Sequence, residues 1–355
     1  MLENKKVAMV VNQTSIMGES HLVDSLLNRN IEIVKVFAPE HGFRGQADAG
    51  EKLTDGLDPQ TGIPIVSLYG KKRKPSPEDL AGIDLVIYDI QDVGVRFYTY
   101  ISTMTLMMEA CADLGIPVLV FDRPNPNGHY VDGPVLDTAW KSFVGMHPVP
   151  IVHGMTSGEF AKMINGEGWM ETDKQCELTV INCLNYDHNT LYELPVKPSP
   201  NLPNPRSIYL YPSICFFEGT VLSEGRGTNK QFQLYGHPDL PDSGFSFTPE
   251  PLPGAKYPKL DGQLCYGEDL TEIHMDSIIN EGLTLKYFLK AYQEFPDKEA
   301  FFLKTNFFEK LAGGEALRSQ VIAGKTEEEI KVTWQEGLLE YKEIRSKYLL
   351  YADFD

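Results

Sequence analysis

DLVIYDI at residues 84–90, TMTLMMEACADL at 103–114 and PVLVFD at 117–122 form one continuous unit that decides the fold class. The first and third segments are short, apolar and rich in β-branched residues, which predicts buried strands. The middle segment predicts a helix. A strand, a helix and a second strand in this order are typical of parallel strands joined by a crossover helix.

The same alternation recurs on both sides of this unit. A helix is predicted from 20 to 30, and the capping box Thr156-Ser157-Gly158-Glu159 opens another that ends near residue 165. Further strands are predicted at 7–11, 31–37, 63–68 and 177–182. This pattern predicts an α/β domain over residues 1–190, built on a doubly wound, mainly parallel sheet.

A smaller auxiliary domain of mixed α+β type is predicted for residues 191–355. It begins with dense prolines between Leu194 and Pro212, which predict a long irregular connection because proline disfavours the interior of regular elements. The chain ends in one predicted helix, capped by Thr326 and Glu329. The apolar stripe of that helix is Ile330, Trp334, Leu338, Tyr341, Ile344 and Tyr348.

The charge of the chain argues against nucleic-acid partners. Its 355 residues carry 32 Lys plus Arg against 50 Asp plus Glu, a formal net charge of −18. The longest basic run, Lys71-Lys72-Arg73-Lys74, is interpreted as a solvated loop, so no basic face is available for phosphates or anionic membranes. No apolar stretch approaches the roughly 20 residues that span a bilayer, so no membrane insertion is expected.

Signals for cofactors and metals are missing from the sequence. No G-x-G-x-x-G, Walker-type loop or G-x-S-x-G elbow occurs, which disfavours dinucleotides, nucleoside triphosphates and serine hydrolases. The five cysteines form no CxxC pair, and His188, His237 and His274 lack the spacing of metal ligands. No cofactor and no metal are therefore expected.

Polar clusters follow the predicted strands, at the edge where open α/β sheets bind ligands. The clusters mix carboxylates, arginines, amides and aromatic rings, a combination suited to sugars. They lie at 12–15, 39–45, 69–70, 91–98 and 122–128.

Six motifs in order resemble the bacterial exo-β-N-acetylmuramidases, a glycoside hydrolase family long catalogued as a domain of unknown function. They are FAPEHGFRG (37–45), DAGE (48–51), YDIQDVGVRFYTYIST (88–103), DRPNPNG (122–128), FEGTVLSEGRGT (217–228) and RSKYLLY (345–351). The resemblance implies a Rossmann-like domain, an auxiliary domain and an active site in the cleft between them. It also implies release of N-acetylmuramic acid from non-reducing ends of peptidoglycan fragments during cell-wall turnover.

The resemblance also bears on location. Members of the family usually carry an export signal, so a periplasmic or extracellular protein is implied. No secretory signal is visible at the N-terminus of this chain, where residues 1–6 run straight into the first strand. An abrupt start of this kind is compatible with trimming.

Glu40 is the first candidate for a catalytic carboxylate, because it follows a strand at the sheet edge and precedes His41-Gly42. Its structural alternative is a salt bridge to Arg44. Asp92 and Glu224 compete for the second catalytic carboxylate. Glu218 is a further candidate at the site, with a structural pairing to Arg226 as its alternative. His41 is a candidate for orienting Glu40 or binding the sugar.

The lactyl acid of N-acetylmuramic acid requires a cation, and the guanidinium fork matches a carboxylate. Of the candidates, Arg96 and Arg226 are favoured over Arg44 and Arg123. The remaining substrate-binding candidates are two aromatic residues for stacking and three amides for hydroxyl or acetamido groups, namely Tyr69, Tyr98, Asn12, Asn125 and Asn201.

Two mechanisms stay open at this point: a pair of protein carboxylates, whose separation decides retention or inversion, or participation of the substrate's acetamido group. A non-catalytic muropeptide-binding protein is the alternative from another class, and a phosphatase or esterase on the same scaffold is a further one.

Overall fold

The structure, a computed structural model, describes residues 1–40, 42–44 and 55–354. A seven-stranded sheet lies at its centre, with the strand order β5-β6-β4-β1-β7-β8-β9. All neighbouring strands are parallel except β5 and β6. The strands are β1 Val7–Val11, β4 Ile33–Ala38, β5 Gly56–Leu57, β6 Pro64–Ser67, β7 Leu85–Asp89, β8 Val118–Phe121 and β9 Leu178–Ile181, and a short ribbon of β2 Ile16–Met17 and β3 Ser20–His21 follows β1.

Helices cover both faces of this sheet. Successive side chains of β1 point to opposite faces, so Met9 packs in one core cluster and Val10 in the other. The helix α1 (Leu22–Leu27) joins the cluster of Met9, whereas α2 (Tyr100–Leu114) and α3 (Ser157–Gly166) join that of Val10. The predicted mainly parallel α/β sheet is confirmed, and the predicted capping box at Thr156 and Glu159 is formed.

The second half of the chain contains a small antiparallel sheet with the order β10-β12-β11. Its strands are β10 Leu234–His237, β11 Ser246–Phe247 and β12 Cys265–Asp269. The helices around it are α4 Pro205–Ile214, α5 Met275–Glu281, α6 Lys286–Glu294, α7 Phe307–Ala312, α8 Ala316–Ile322, α9 Glu327–Val332 and α10 Gln335–Ser346. Its aromatic core continues into the cluster that covers the large sheet. The domain boundary near residue 190 stays a prediction.

The expectation of an irregular connection up to Pro212 is wrong for its last part, because α4 begins at Pro205. Proline at the first helical turn loses no hydrogen bond, and Asn204 caps the helix in a capping box with Ser207. Pro212 inside the helix leaves the carbonyl of Ile208 without its helical donor. The side chain of Asn127 donates to that carbonyl at 3.4 Å and compensates for the loss.

The single predicted C-terminal helix is divided into α9 and α10. The amides of Thr333 and Trp334 bond back three residues, to Ile330 and Lys331, and the Thr333 hydroxyl donates to the Ile330 carbonyl. These tight turns end α9 and re-aim α10, while Ile330, Trp334, Leu338 and Tyr341 stay buried as the stripe predicts.

The chain end lies against the large sheet. The Tyr351 hydroxyl donates to Asp122, which follows β8, and Arg345 makes a bidentate ion pair with Asp353. None of the helices in the described ranges is both long and apolar enough to cross a bilayer.

Candidate active site

A cleft of about 280 Å³ opens where three strands of the large sheet end beside the second half of the chain. Glu40 follows β4, Tyr69 follows β6, and Tyr98 and Tyr100 follow β7. Parallel strands present their carboxyl ends at one edge, which is why these distant residues meet. The other lining residues are Arg73, Phe97, Thr99, Phe143, Val144, Ser199, Asn201, Leu202, Tyr211, Glu218, Arg226, Phe232 and Phe307.

Glu40 and Tyr69 form a hydrogen-bonded pair in this cleft. Burial and the negative charge of Glu40 both raise the pKa of the Tyr69 phenol, so Tyr69 keeps its proton. A phenol that keeps its proton is a donor to a carboxylate. Tyr69 therefore holds the Glu40 side chain in a defined orientation.

Two buried tyrosines line the cleft near Glu40. Their rings meet edge to face at 4.9 Å, and the Tyr98 hydroxyl donates to the Pro198 carbonyl at 2.7 Å. Burial and then the charge of Glu40 raise the pKa of Tyr100. Asn12 is buried behind the cleft lining, where its Oδ1 atom accepts hydrogen bonds from the amide and the hydroxyl of Thr14.

A chain of alternating charges runs away from the cleft. Arg226 lies 2.5 Å from Glu218 and 3.3 Å from Glu224, and Glu224 lies 2.7 Å from Lys259. Burial opposes the charge of Arg226, but the two carboxylates outweigh it and raise its pKa. Of these four charged residues, Glu218 and Arg226 line the cleft, and Glu224 and Lys259 do not.

The structure places both candidates for the second catalytic carboxylate, Asp92 and Glu224, outside the cleft lining. Asp92 is 3% exposed, accepts a hydrogen bond from the Gly94 amide at 2.6 Å and lies 3.6 Å from buried His153. Glu224 is 2% exposed and is held between Arg226 and Lys259. Neither carboxylate lines the cleft, because the chain turns both into the protein interior.

Arg96, a favoured candidate for the lactyl acid, also lies outside the cleft lining. It is 1% exposed and donates to the carbonyls of Pro134, Val149 and Leu311 at 2.6–2.9 Å. These three bonds tie two loops to helix α7. Its guanidinium therefore serves the fold and not the cleft.

Two more arginines are engaged by carboxylates outside the cleft. Arg123 makes a bidentate pair with buried Asp89, with donor–acceptor distances of 2.6 and 3.0 Å. Arg44 makes a bidentate pair with Asp58 and a longer one with Asp24. A salt bridge from Arg44 to Glu40, the structural alternative for Glu40, is not among these contacts of Arg44.

Of the predicted amide residues, Asn125 has a structural role and Asn201 lines the cleft. Asn125 is buried away from the cleft, donates to the Met155 carbonyl and accepts from the Asn127 amide. Asn201 lines the cleft and donates to the Gly254 carbonyl, and its Oδ1 atom has no hydrogen-bond partner among the described residues. His41 lies outside the described residues.

Arg73 and several aromatic residues are cleft residues that the sequence analysis missed, among them Phe143, Tyr211 and Phe232. The short basic run that contains Arg73, directly before Pro75-Ser76-Pro77, predicts a solvated loop, and its composition gives no sign of the cleft. The signal available was its position, since the basic run follows β6 at the edge that carries Glu40 and Tyr69. Phe143 lies between β8 and α3, and Tyr211 and Phe232 come from the second half, so none of the three belongs to a polar cluster that follows a predicted strand.

The Arg44–Asp58 pair predicts how stability responds to acid. Burial opposes the charge of Asp58, but hydrogen bonds from Arg44 and Thr61 outweigh it and lower the pKa of this carboxyl. Because the pKa of Asp58 is lower in the folded protein, its ionised form stabilises the fold at pH values above the ordinary pKa of 3.8. This stabilisation is lost as the pH falls through the folded-state pKa. Asp58→Asn is therefore expected to flatten the loss of unfolding free energy between about pH 5 and pH 2, measured by urea denaturation.

Asp261→Asn removes an exposed carboxyl and is the matched control for this change. An Asp58→Asn protein that keeps the full acid-dependent loss of stability would contradict the assignment of Arg44 to Asp58.

Within the described part of the chain, no group of three His, Cys, Asp or Glu residues is arranged to hold a metal ion. The arrangement in the cleft instead offers proton donors and acceptors, aromatic faces and two guanidinium groups. These are the means for binding an anionic sugar and for acid–base chemistry on it.

Known proteins resemble this chain over almost its whole length. Residues 7–206 match the family described as "Exo-beta-N-acetylmuramidase NamZ, N-terminal", and residues 209–351 match the corresponding C-terminal family. The chain is 38% identical over 370 residues to the peptidoglycan beta-N-acetylmuramidase NamZ of Bacillus subtilis (strain 168), which covers 99% of this chain and 88% of that protein.

Two crystal structures of DUF1343 family proteins from Bacteroides fragilis NCTC 9343 share the fold. One is 48% identical with a TM-score of 0.92, and the other is 28% identical with a TM-score of 0.85. Each match covers 99% of this chain and 95% of the solved chain.

Proposed function

The chain belongs to the exo-β-N-acetylmuramidase family, and from that membership we propose that it removes N-acetylmuramic acid from the non-reducing ends of peptidoglycan fragments. It is a glycosidase that acts on a saccharide substrate. The finer description of its fold as Rossmann-like and doubly wound, and its location outside the cytoplasm, belong to the same proposal.

The observation that carries the proposal is the placement of Glu40. This carboxylate lies in a cleft whose lining is nearly half aromatic, with Tyr69 as its hydrogen-bond partner. Aromatic faces bind the C–H surfaces of a sugar ring, and a carboxyl group beside them can reach the glycosidic oxygen.

Glu40 is the general acid of the proposed reaction. As the bond between the anomeric carbon and the glycosidic oxygen breaks, the Glu40 proton moves to that oxygen, and the remaining sugar leaves as an alcohol. Water supplies the hydroxyl group at the anomeric carbon, and the proton that this water loses replaces the one that the enzyme gave to the glycosidic oxygen. Tyr69 acts as a positioning residue, because it holds the carboxyl group by a hydrogen bond.

Glu218 is the second carboxylate of the proposal. Among the described residues, Glu40 and Glu218 are the two acidic side chains that line the cleft. The ion pair with Arg226 fixes the position of Glu218. Glu218 is thereby placed either to act on C1 directly or to orient the acetamido group of the substrate.

A muramidase site should separate two aryl glycosides that differ only in the lactyl group. We expect release of the chromophore from an aryl β-N-acetylmuramide at least 10-fold faster, in kcat/KM, than from the β-N-acetylglucosaminide. The reason is the pair of guanidinium groups on the cleft lining, at Arg73 and Arg226, which favours an acidic substrate. Spectrophotometric rates with both substrates measure the ratio.

The outcomes of this assay separate the hypotheses. Equal rates on both glycosides would contradict selection for the lactyl acid, but the protein would still be a glycosidase. Binding of N-acetylmuramic acid without turnover of either glycoside would contradict the enzyme and support the non-catalytic binding protein.

A further inference from the structure

The cleft needs a cation for an acidic sugar, and the arginines favoured by sequence do not supply a free one. Arg44, Arg96 and Arg123 are engaged elsewhere, and Arg226 is shared between Glu218 and Glu224. A carboxylate of the substrate would have to compete with two protein carboxylates for Arg226. Another cation on the lining is better suited to a negative charge.

Arg73 is that cation. It lines the cleft, and no carboxylate among the described residues lies within 4.0 Å of it. Its guanidinium group stacks on the Phe143 ring at 4.3 Å from the ring centre, which fixes the plane of the fork without using its hydrogen-bond donors. The donors stay available for a ligand.

The loop around Arg73 is anchored so that this side chain faces the cleft. Lys72 is ion-paired with Asp79 at 2.8 Å, and Lys74 is ion-paired with Glu109 at 3.0 Å. Glu109 is buried in helix α2, so the loop is attached to the body of the sheet domain. The lysine on each side of Arg73 is thus paired with a protein carboxylate, whereas Arg73 has no such pair among the described residues.

Arg73 also lies close to the proposed acid. The Tyr69 phenol is hydrogen-bonded to Glu40 and interacts electrostatically with Arg73 and Arg226. The three charged groups therefore lie around the same tyrosine side chain. In N-acetylmuramic acid the lactyl group is on C3 and the scissile bond is on C1 of the same ring. A cation that binds the lactyl acid must therefore lie in the cleft that holds the general acid.

We propose that the guanidinium group of Arg73 binds the lactyl carboxylate of N-acetylmuramic acid and selects this sugar over N-acetylglucosamine. The proposal rests on the proposed function and names the residue that gives it specificity. Arg73 is a binding residue, and its contact forms before the bond breaks and persists during the reaction.

The test compares Arg73→Gln with the wild type on three aryl glycosides: the muramide, its lactyl carboxamide and the glucosaminide. We expect kcat/KM for the muramide to fall about 10- to 100-fold in Arg73→Gln, mainly through a higher KM. The rates on the carboxamide and the glucosaminide, which have no negative charge, should stay within about threefold of wild type. Arg73→Lys should restore part of the muramide rate, because it keeps the charge and loses the fork.

Lys71→Gln is the matched control, since Lys71 belongs to the same basic run, is exposed and does not line the cleft. It should leave the three rates unchanged. An equal loss on all three glycosides in Arg73→Gln, or no loss on the muramide, would overturn the proposal while the wild-type activity stands. A wild-type protein that cleaves none of the three would instead overturn the proposed function.

Discussion

Hydrolysis of an unactivated muramyl disaccharide is expected to fall about 10²- to 10⁴-fold when Glu40 is replaced by glutamine, the usual contribution of general acid catalysis. Glutamine keeps the shape of the side chain and its hydrogen bond from Tyr69, but has no proton to give to the glycosidic oxygen. The loss should lie in kcat, because the sugar is held by other residues of the cleft. Release of reducing sugar from the disaccharide measures the change.

Comparing substrates with different leaving groups distinguishes the loss of a general acid from a structural defect. An aryl glycoside with a good leaving group needs little protonation, so Glu40→Gln should lose much less activity on it than on the disaccharide. A structural defect would reduce both rates to the same extent. The ratio of the two losses is therefore the informative quantity.

Glu32→Gln is a matched control for this change, because Glu32 is exposed and precedes the same strand, β4, at its opposite end. It should retain full activity, and both variants should unfold at the wild-type temperature. A Glu40→Gln protein that cleaves the disaccharide at a near wild-type rate would remove Glu40 from the role of acid. Glu218, as the other carboxylate on the cleft, would then be the residue to replace.

Much of the fold follows from short-range patterns in the sequence. Strands β1, β7 and β8 are apolar runs bounded by polar residues, and their predicted ranges differ from the observed ones by a residue or so at each end. The edge that carries the cleft also follows from predicted strands, because Glu40, Tyr69 and Tyr98 follow β4, β6 and β7. Proline density is a poor guide at Pro205, because a capped helix tolerates proline in its first turn.

The roles of individual polar residues depended on contacts that sequence spacing does not report. Asp92 and Arg96 follow the same strand as Tyr98, but their side chains turn into the interior while that of Tyr98 reaches the cleft. Arg73 shares a basic run with two lysines whose partners, Asp79 and Glu109, lie 7 and 35 residues away. Long-range pairing of this kind decides which cation is left for a ligand.

Arg96→Met is expected to lower the free energy of unfolding by about 3–5 kcal/mol, because each buried carbonyl left without a donor costs roughly 1–3 kcal/mol. The Arg96 guanidinium donates to three carbonyls, of Pro134, Val149 and Leu311, and methionine fills part of its volume while leaving these acceptors without a donor. Because Leu311 lies in helix α7 and the other two lie in loops of the first half, the loss should loosen the contact between the halves. Equilibrium unfolding in urea measures the change.

Arg29→Met is the control, since Arg29 is exposed and its replacement should change the unfolding free energy by less than about 0.5 kcal/mol. Kinetics below the unfolding transition then separate the two roles considered for Arg96. A residue that serves only the fold leaves KM for the aryl muramide unchanged in the folded variant. A variant of wild-type stability with a raised KM would show instead that Arg96 binds the substrate, as the sequence first indicated, and would contradict the placement of its guanidinium group in the interior.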